Sequence, residues 1–412
     1  MVYVLDKSNK PLMPTNRHGK VKHLLRSGKA VVVSREPFTI KLVYNSESYT
    51  QEITLGIDAG SKTVGLSAST EKEELYSSET VLRTDIVKLL AERLQYRKTR
   101  RNHLRYRKPR FDNRKATKKP GWLAPSIRHK IDSHLKLVEN VHKILPITKV
   151  IVEVAAFDIQ KIKNPNISGT EYQQGDQFDS WNVREYVLFR DKHTCQHCLG
   201  KSKDKVLNVH HLESRKTGGN APSDLVTLCK TCHSKVHTGK IVLNIKRGKS
   251  FRDAAFMGIM RWAFYNKLKE TYTNVSLTYG YITKYVRINN GIEKTHAADA
   301  YCIANNVEAK RQEHVYMQKF VRHSNRSLHK ANLIKGSRRI ASKAPTIVKG
   351  YRLFDKVLYK NQECFIFGRR ERGFFDLRLL DGVKVNGAAS YKKLKLINIP
   401  RTLLKERKKQ VG

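Results

Sequence analysis

Apolar and polar positions alternate in short runs at the start of the chain. Met1 to Leu5 and Ala30 to Val33 predict strands, and the stretch Thr15 to Lys29, basic and free of acid, predicts a loop between them. Glu52 to Ser69 predicts a strand, a tight turn at Ala59-Gly60-Ser61-Lys62 and a second strand; Leu75 to Leu82 supplies a third. The result is a three-stranded meander with Asp58 ending its first strand. Ser126 to Leu145 has helical periodicity, and Lys149 to Val154 is a hydrophobic strand carrying Glu153. Residues 157–182 are polar and read as a linker. Ser250 to Tyr272 predicts a helix, Val275 to Ile288 strands, and His296 to Val307 a short helix with His296 and Asp299 one turn apart. Beyond about residue 345, β-rich runs at Lys356 to Leu358, Cys364 to Phe367 and Phe374 to Leu380, broken by glycine, predict a small barrel.

Charge changes this picture most. The 412 residues carry a formal net charge of +45, which would repel itself strongly unless a polyanion neutralised it. Nucleic acid is the expected partner. Hydrophobic residues make up 39%, enough for a real core, so wholesale disorder is not expected. No apolar run approaches the roughly 18 residues of a spanning helix, and Met1 to Lys10 lacks a signal-peptide core. The expectation is an intracellular protein without a membrane partner. Between Arg83 and Lys119 lie 15 Lys or Arg against three acids. Arg93, Arg97, Arg101 and Arg105 recur every fourth residue, one stripe of a helix, with Arg100 and Arg107 beside it. Like charges at that spacing destabilise a free helix but suit phosphates lying between them.

Two Cys-x-x-Cys pairs, Cys195/Cys198 and Cys229/Cys232, can close a tetrahedral Cys₄ zinc site. Val209-His210-His211 ends a short strand between them, Asp224 opens the run into the second pair, and His233 and His237 follow at helical i, i+4 spacing. A structural zinc knuckle does not need four further histidines.

These residues resemble the HNH nuclease family, with its ββα-metal motif. The resemblance implies that His211 is the general base that activates water, and that His210 and His233 hold one divalent cation, Mg²⁺, with His237 a further candidate ligand. Asp224 falls where the family usually has the Asn that orients the base. Gly56-Ile-Asp-Ala-Gly60, Val150-Ile-Val-Glu153 and His296-Ala-Ala-Asp-Ala-Tyr301 resemble the three motifs of the split RuvC nuclease, of the RNase H fold. That likeness implies Asp58, Glu153 and Asp299 as ligands of two Mg²⁺, with His296 a base or helper.

The order of these pieces resembles the IscB family, transposon-associated RNA-guided DNA endonucleases related to type II CRISPR effectors; Pro11-Leu12-Met13-Pro14 matches the motif naming their N-terminal domain. The implied fold class is multidomain α/β. An N-terminal domain (1–52) precedes RuvC segment I (53–82), an Arg-rich bridge helix (83–120) and RuvC segment II (121–165). A linker (166–181), an HNH module with its zinc knuckle (182–240) and a second linker (241–249) lead to RuvC segment III (250–310). A small β-rich C-terminal domain (311–412) would contact RNA and the motif flanking the target. The implied function is RNA-guided cutting of double-stranded DNA, HNH on the guide-paired strand and RuvC on the displaced one. A long structured guide RNA would bind one protein copy, in a prokaryotic cytoplasm and at the nucleoid when on DNA. Two other readings remain open: a guide-independent endonuclease of homing, restriction or junction-resolving type, and a non-catalytic RNA-binding or repressor protein.

Overall fold

The computed structural model describes residues 1–102, 123–154, 183–212, 224–245, 252–322 and 345–410. The chain divides into two compact units: Met1–Ala155 together with Ile259–Gly412, and Ala156–Gly258.

The first unit opens with strands β1 (Val2–Leu5), β2 (Pro11–Thr15), β3 (Ala30–Arg35) and β4 (Phe38–Leu42) and helix α1 (His18–Arg26). The sheet order is β2-β1-β4-β3, with β1 and β4 parallel. Pro11 and Pro14 lie on an edge strand, where a missing N–H is tolerated. The expected basic loop is in fact α1. Its Val21, Leu24 and Leu25, an i, i+3, i+4 set, pack on Val2, Val4 and Ile40. Three apolar positions suffice, and the surrounding lysines had hidden them.

The chain then builds a meander of β5 (Thr54–Asp58), β6 (Thr63–Ser69) and β7 (Glu74–Val81). Helix α2 (Ile86–Asn102) carries Arg93, Arg97 and Arg101 of the arginine stripe; helix α3 (Pro125–His142) starts with Pro at its first turn and buries Ile131, His134, Leu137, Val138 and Val141. β8 (Lys149–Glu153) follows, parallel to β5, with Val150, Ile151 and Val152 all buried, the pattern of a strand covered on both faces.

The second unit contains helix α4 (Val183–Arg190), the antiparallel pair β9 (Leu207–His211) and β10 (Leu225–Cys229), and helix α5 (Lys230–His237). Asp191 ties α4 to β10 by accepting the Thr227 N–H at 2.8 Å while holding Arg190. The core is Cys195, Val226, Leu228, Cys229 and Cys232, with Ile241, Leu243 and Ile245 packed against it. Part of the expected linker 241–249 is therefore wall of this core; residues 246–249, like the expected linker 166–181, lie outside the described residues.

Helix α6 (Arg252–Thr271), which belongs to the first unit from Ile259 on, buries Met260, Phe264 and Leu268 at i, i+4, i+8. β11 (Val275–Thr278) pairs parallel with β8. The strands expected to run on to Ile288 give way to helix α7 (Gly280–Asn289): β-branched residues suggested a strand, but Thr283, Val286 and Arg287 share a helical face turned inward. Helix α8 (His296–Ala304) is buried almost throughout. β12 (His314–Phe320) pairs parallel with β7, and β18 (Leu403–Lys409) closes the sheet against it. The full order is β11-β8-β5-β6-β7-β12-β18. The span 311–412, expected as one C-terminal domain, thus lends its first and last strands to the main sheet.

Between those two strands lie β13 (Lys356–Tyr359), β14 (Gln362–Arg370), β15 (Phe374–Arg378), β16 (Lys384–Ser390) and β17 (Lys395–Asn398), ordered β16-β15-β14-β13-β17. This is an antiparallel sheet around Val357, Ile366, Phe375 and Leu377 rather than the expected barrel: among the described residues β16 and β17 do not pair with each other. Lys356, buried, is ion-paired with Glu36 and, at 2.7 Å, with Glu363. No helix among the described residues is long and apolar enough to cross a membrane.

Candidate functional site

Three clusters of chemistry-bearing side chains emerge, two in the second unit and one in the first. In the second unit, β9 delivers His210 and α5 delivers His233 and His237. The Nε2 atoms of His233 and His237 lie 3.2 Å apart, and the ring of His210 stands edge-on, 5.1 Å from each of theirs. One ligand nitrogen from each lies within 4.8 Å of the others. Burial first, then the neighbouring imidazoles, pushes His210 and His233 below the usual histidine range. That favours the neutral rings a metal needs. Three imidazoles fit a divalent cation, and they suit a transition ion such as Zn²⁺ better than the oxygen-seeking Mg²⁺ expected from sequence. His237, a secondary candidate in the sequence, is a full member of this cluster.

His211 is not part of it. Strand alternation puts successive side chains on opposite faces, and His211 is paired in register with Leu225, while His210 is paired with Val226. Asp224 is buried at the start of β10, its carbonyl accepting the Leu212 N–H at 2.8 Å. Its charge acts on His210, opposing the depression of that ring.

The four cysteines form the other cluster of this unit, their sulfurs all within 4.8 Å. Cys198 Sγ and Cys229 Sγ are 3.9 Å apart, close to the roughly 3.8 Å edge of a tetrahedron with Zn–S bonds of about 2.3 Å. Cys229 also caps α5, its sulfur accepting the Cys232 N–H at 3.4 Å. Ser202 Oγ sits 3.0 Å from Cys229 Sγ and 3.3 Å from Cys198 Sγ, and its hydrogen bond with Cys198 draws that thiol down to about 6, while burial pushes Cys232 up. A preformed S₄ set of this size fits zinc.

In the first unit, Asp58 ends β5, Glu153 ends the neighbouring β8, and His296 and Asp299 occupy the first turn of α8. The helix approaches the sheet so closely that glycine is required: a Cβ on Gly56 would lie 2.0 Å from the Ala300 carbonyl oxygen, and one on Gly65 1.9 Å from that of His296. Asp58 Oδ2 is 2.6 Å from His296 Nδ1, and this bond first, against burial, raises the imidazole above its usual range. Glu153 and Asp299 are both pushed up, by burial first and then by the charge of Asp58. The three carboxylates therefore share one field, as a cation site does before it is filled. Their oxygens are looser than the other two clusters: among the described residues, only the cysteines and the three histidines form sets of three or more with all ligand atoms within 4.8 Å.

Two arginines absent from the sequence reading complete this centre. Arg261 of α6 donates to the Ala59 carbonyl at 2.9 Å and reaches Glu153 at 3.5 Å; Arg287 of α7 pairs with Asp299 at 3.1 Å. His134 of α3 meets the Gly60 carbonyl at 3.2 Å and Glu79 accepts the Ala297 N–H at 3.0 Å, so the turn after Asp58 and the start of α8 are each held from outside. Nothing in the local sequence marks these four residues, since each acts only through long-range packing.

On α2, Arg93 and Arg97 are exposed, and Arg100 and Arg101 follow on the same helix. Arg105 and Arg107 lie outside the described residues.

Residues 2–175 match the family model described as RRXRR protein, and residues 195–239 match the model described as HNH endonuclease. No curated protein matches the chain. Among solved structures, the chain is similar to Streptococcus thermophilus Cas9 in complex with the AGAA PAM, at 14% identity and a TM-score of 0.31, over 51% of this chain and 30% of that one. The same protein in complex with the GGAA PAM gives 15% identity and 0.33, over 51% and 30%. The chain thus spans less than a third of the length of those structures. The HNH match coincides with the cysteine and histidine clusters and with the β9-β10-α5 frame that holds them: residues 195–239 are an HNH endonuclease domain.

Proposed function

We propose that the chain is an RNA-guided, metal-dependent DNA endonuclease with two cutting centres, as the IscB resemblance implies. The observation that carries this reading is the coincidence of the HNH match with a histidine cluster built on a strand pair and the following helix. The meander β5-β6-β7 with β8 and β11 added in parallel, and Asp58 and Glu153 at the ends of β5 and β8 with Asp299 on the first turn of α8, support the RNase H-like, split-RuvC assignment of the second centre.

Cations held by His210, His233 and His237, and by Asp58, Glu153 and Asp299, would supply charge stabilisation for the phosphate and its leaving oxygen. The remaining roles fall to the chain. His211 would take the proton of the attacking water, and a positioned base contributes roughly 10²–10⁴-fold. Asp224, buried beside it along the strand pair, would set the polarity that holds the imidazoles. In the first unit, Asp58 orients His296 through the 2.6 Å bond, and Arg261 and Arg287 hold Glu153 and Asp299 in place. HNH is assigned to the guide-paired strand and the carboxylate centre to the displaced strand. The basic N-terminal sheet, α2 and the β13–β17 sheet are assigned to the RNA and the target-flanking motif.

The test is to purify the protein with its flanking DNA, sequence the RNA that accompanies it, and cut a matching plasmid. Asp58→Asn should leave a nick in the guide-paired strand and His233→Ala a nick in the other. Loss of both cuts in either variant would refute independent centres, and cutting without any RNA would favour the guide-independent nuclease.

A further inference from the structure

Helix α7 has two faces with different fates. Inward, Thr283 is buried, Val286 packs toward Tyr301 and Cys302, and Arg287 holds Asp299. Outward, Tyr281, Tyr285 and Ile288 form an i, i+4, i+7 stripe, 72%, 67% and 57% exposed, with exposed Lys284 beside it. Tyr279, just before the helix, stacks on Tyr281 with ring centres 6.0 Å apart and planes only 9° apart. Large apolar side chains exposed in a row at a site's edge ask for a partner.

The helix is joined to the carboxylate centre at both ends. A Cβ on Gly280 would come within 3.3 Å of Glu153 Oε1, so the first turn abuts one acid, and Arg287 grips another. The helix that carries the outer tyrosines is thus the same one that touches Glu153 and holds Asp299. Exposed tyrosine rings, Tyr281 nearly parallel to Tyr279 and Tyr285 one turn on, with a lysine beside them, match unpaired bases with their phosphates, because stacking tolerates any base and the cation meets the backbone. A duplex cannot use them, since its base faces are already stacked within the helix.

We propose that the outer face of α7 is a base-stacking platform for the single DNA strand entering the carboxylate centre; this rests on the reading of that centre as the one that cuts the displaced strand. Tyr281 and Tyr285 are positioning residues in this scheme. They fix the register of the strand by stacking and take no part in bond breaking.

The experiment measures binding of fluorescein-labelled oligo-dT to the full chain, by anisotropy at elevated salt and without added divalent ion. Wild type is compared with Tyr281→Ala/Tyr285→Ala and with Tyr281→Phe/Tyr285→Phe, and a blunt duplex is the control. The alanine pair should lose affinity for oligo-dT by about tenfold or more. The phenylalanine pair should retain it, and duplex binding should not change in either. Undiminished oligo-dT binding by the alanine pair overturns the platform, as does equal loss toward duplex. Tyrosine-dependent preference for oligo-rU would assign the face to RNA, and a dimer dissolved by the alanine pair would assign it to a second copy; either result also overturns the proposal. Strand cutting by the same preparations separates the two readings. Asp58-dependent cutting with tyrosine-independent binding removes only the platform, whereas an Asp58→Asn variant that cuts the displaced strand as fast as wild type removes the centre's assignment, whatever the tyrosines do.

Discussion

At the scale of single residues, His134 shows how a group remote from the chemistry conditions it. The ring is fully buried on α3, against Phe264 at 5.2 Å and between the carbonyls of Lys130 and Gly60. Burial drives it from the usual 6.5 down to about 4, the two carbonyls opposing without cancelling the effect. The folded state therefore holds His134 neutral while an unfolded chain protonates near 6.5. Its contribution is fully present above that pH and is lost as pH falls toward about 4. The differential is roughly 3 kcal/mol. Amide exchange protection in β5 and its following turn should decline across this acid window in the wild type and decline less in His134→Leu. Identical pH profiles would show that the turn beside Asp58 does not depend on this ring.

Secondary-structure elements were legible from the sequence wherever periodicity was strong and local. The meander, the buried β8 and the helix bearing His296 and Asp299 are where apolar spacing placed them. α1 was hidden because lysines surround its three core contacts, and α7 because its β-branched residues favour strands until α8 offers a surface to pack on. β12 and β18 had no local mark of joining the main sheet, since that pairing spans most of the chain. The sites divide in the same way. Cys-x-x-Cys and His-x-x-x-His are local patterns and could be read directly, whereas Arg261 and Arg287 reach the carboxylates, and His134 the turn after Asp58, from separate elements. The cysteine pattern has a consequence for stability. Three of the five buried side chains in the core of the second unit are metal-ligand candidates, Cys195, Cys229 and Cys232, so little apolar surface remains without the metal. Stripping zinc with a thiol-competitive chelator should expose β9, β10 and α5 to hydrogen exchange and proteolysis. The seven-stranded sheet, which belongs to the other unit, should keep its protection. Unchanged exchange in α5 after metal analysis confirms zinc loss would remove the structural role of the cluster.

Over the whole molecule, a charge of +45 is a statement about partners. α2 concentrates the argument. Its described side chains include none that is buried; Val87 and Leu94 are 66% and 50% exposed, and Arg93 and Arg97 stand one turn apart on the surface. Such a helix gains little from packing and is opposed by its own repulsion, so its natural complement is a polyanion whose phosphates fall between the guanidinium groups. Binding then releases counterions, and affinity falls with salt in proportion to the phosphates neutralised. Replacing Arg93, Arg97, Arg100 and Arg101 with glutamine should weaken RNA binding and make the slope of log K against log salt shallower by roughly 3. Lysine replacements keep the charge and should restore the slope while recovering less of the affinity, because they lose the planar fork that grips a phosphate twice. A glutamine variant with the wild-type slope would mean that α2 meets no phosphate.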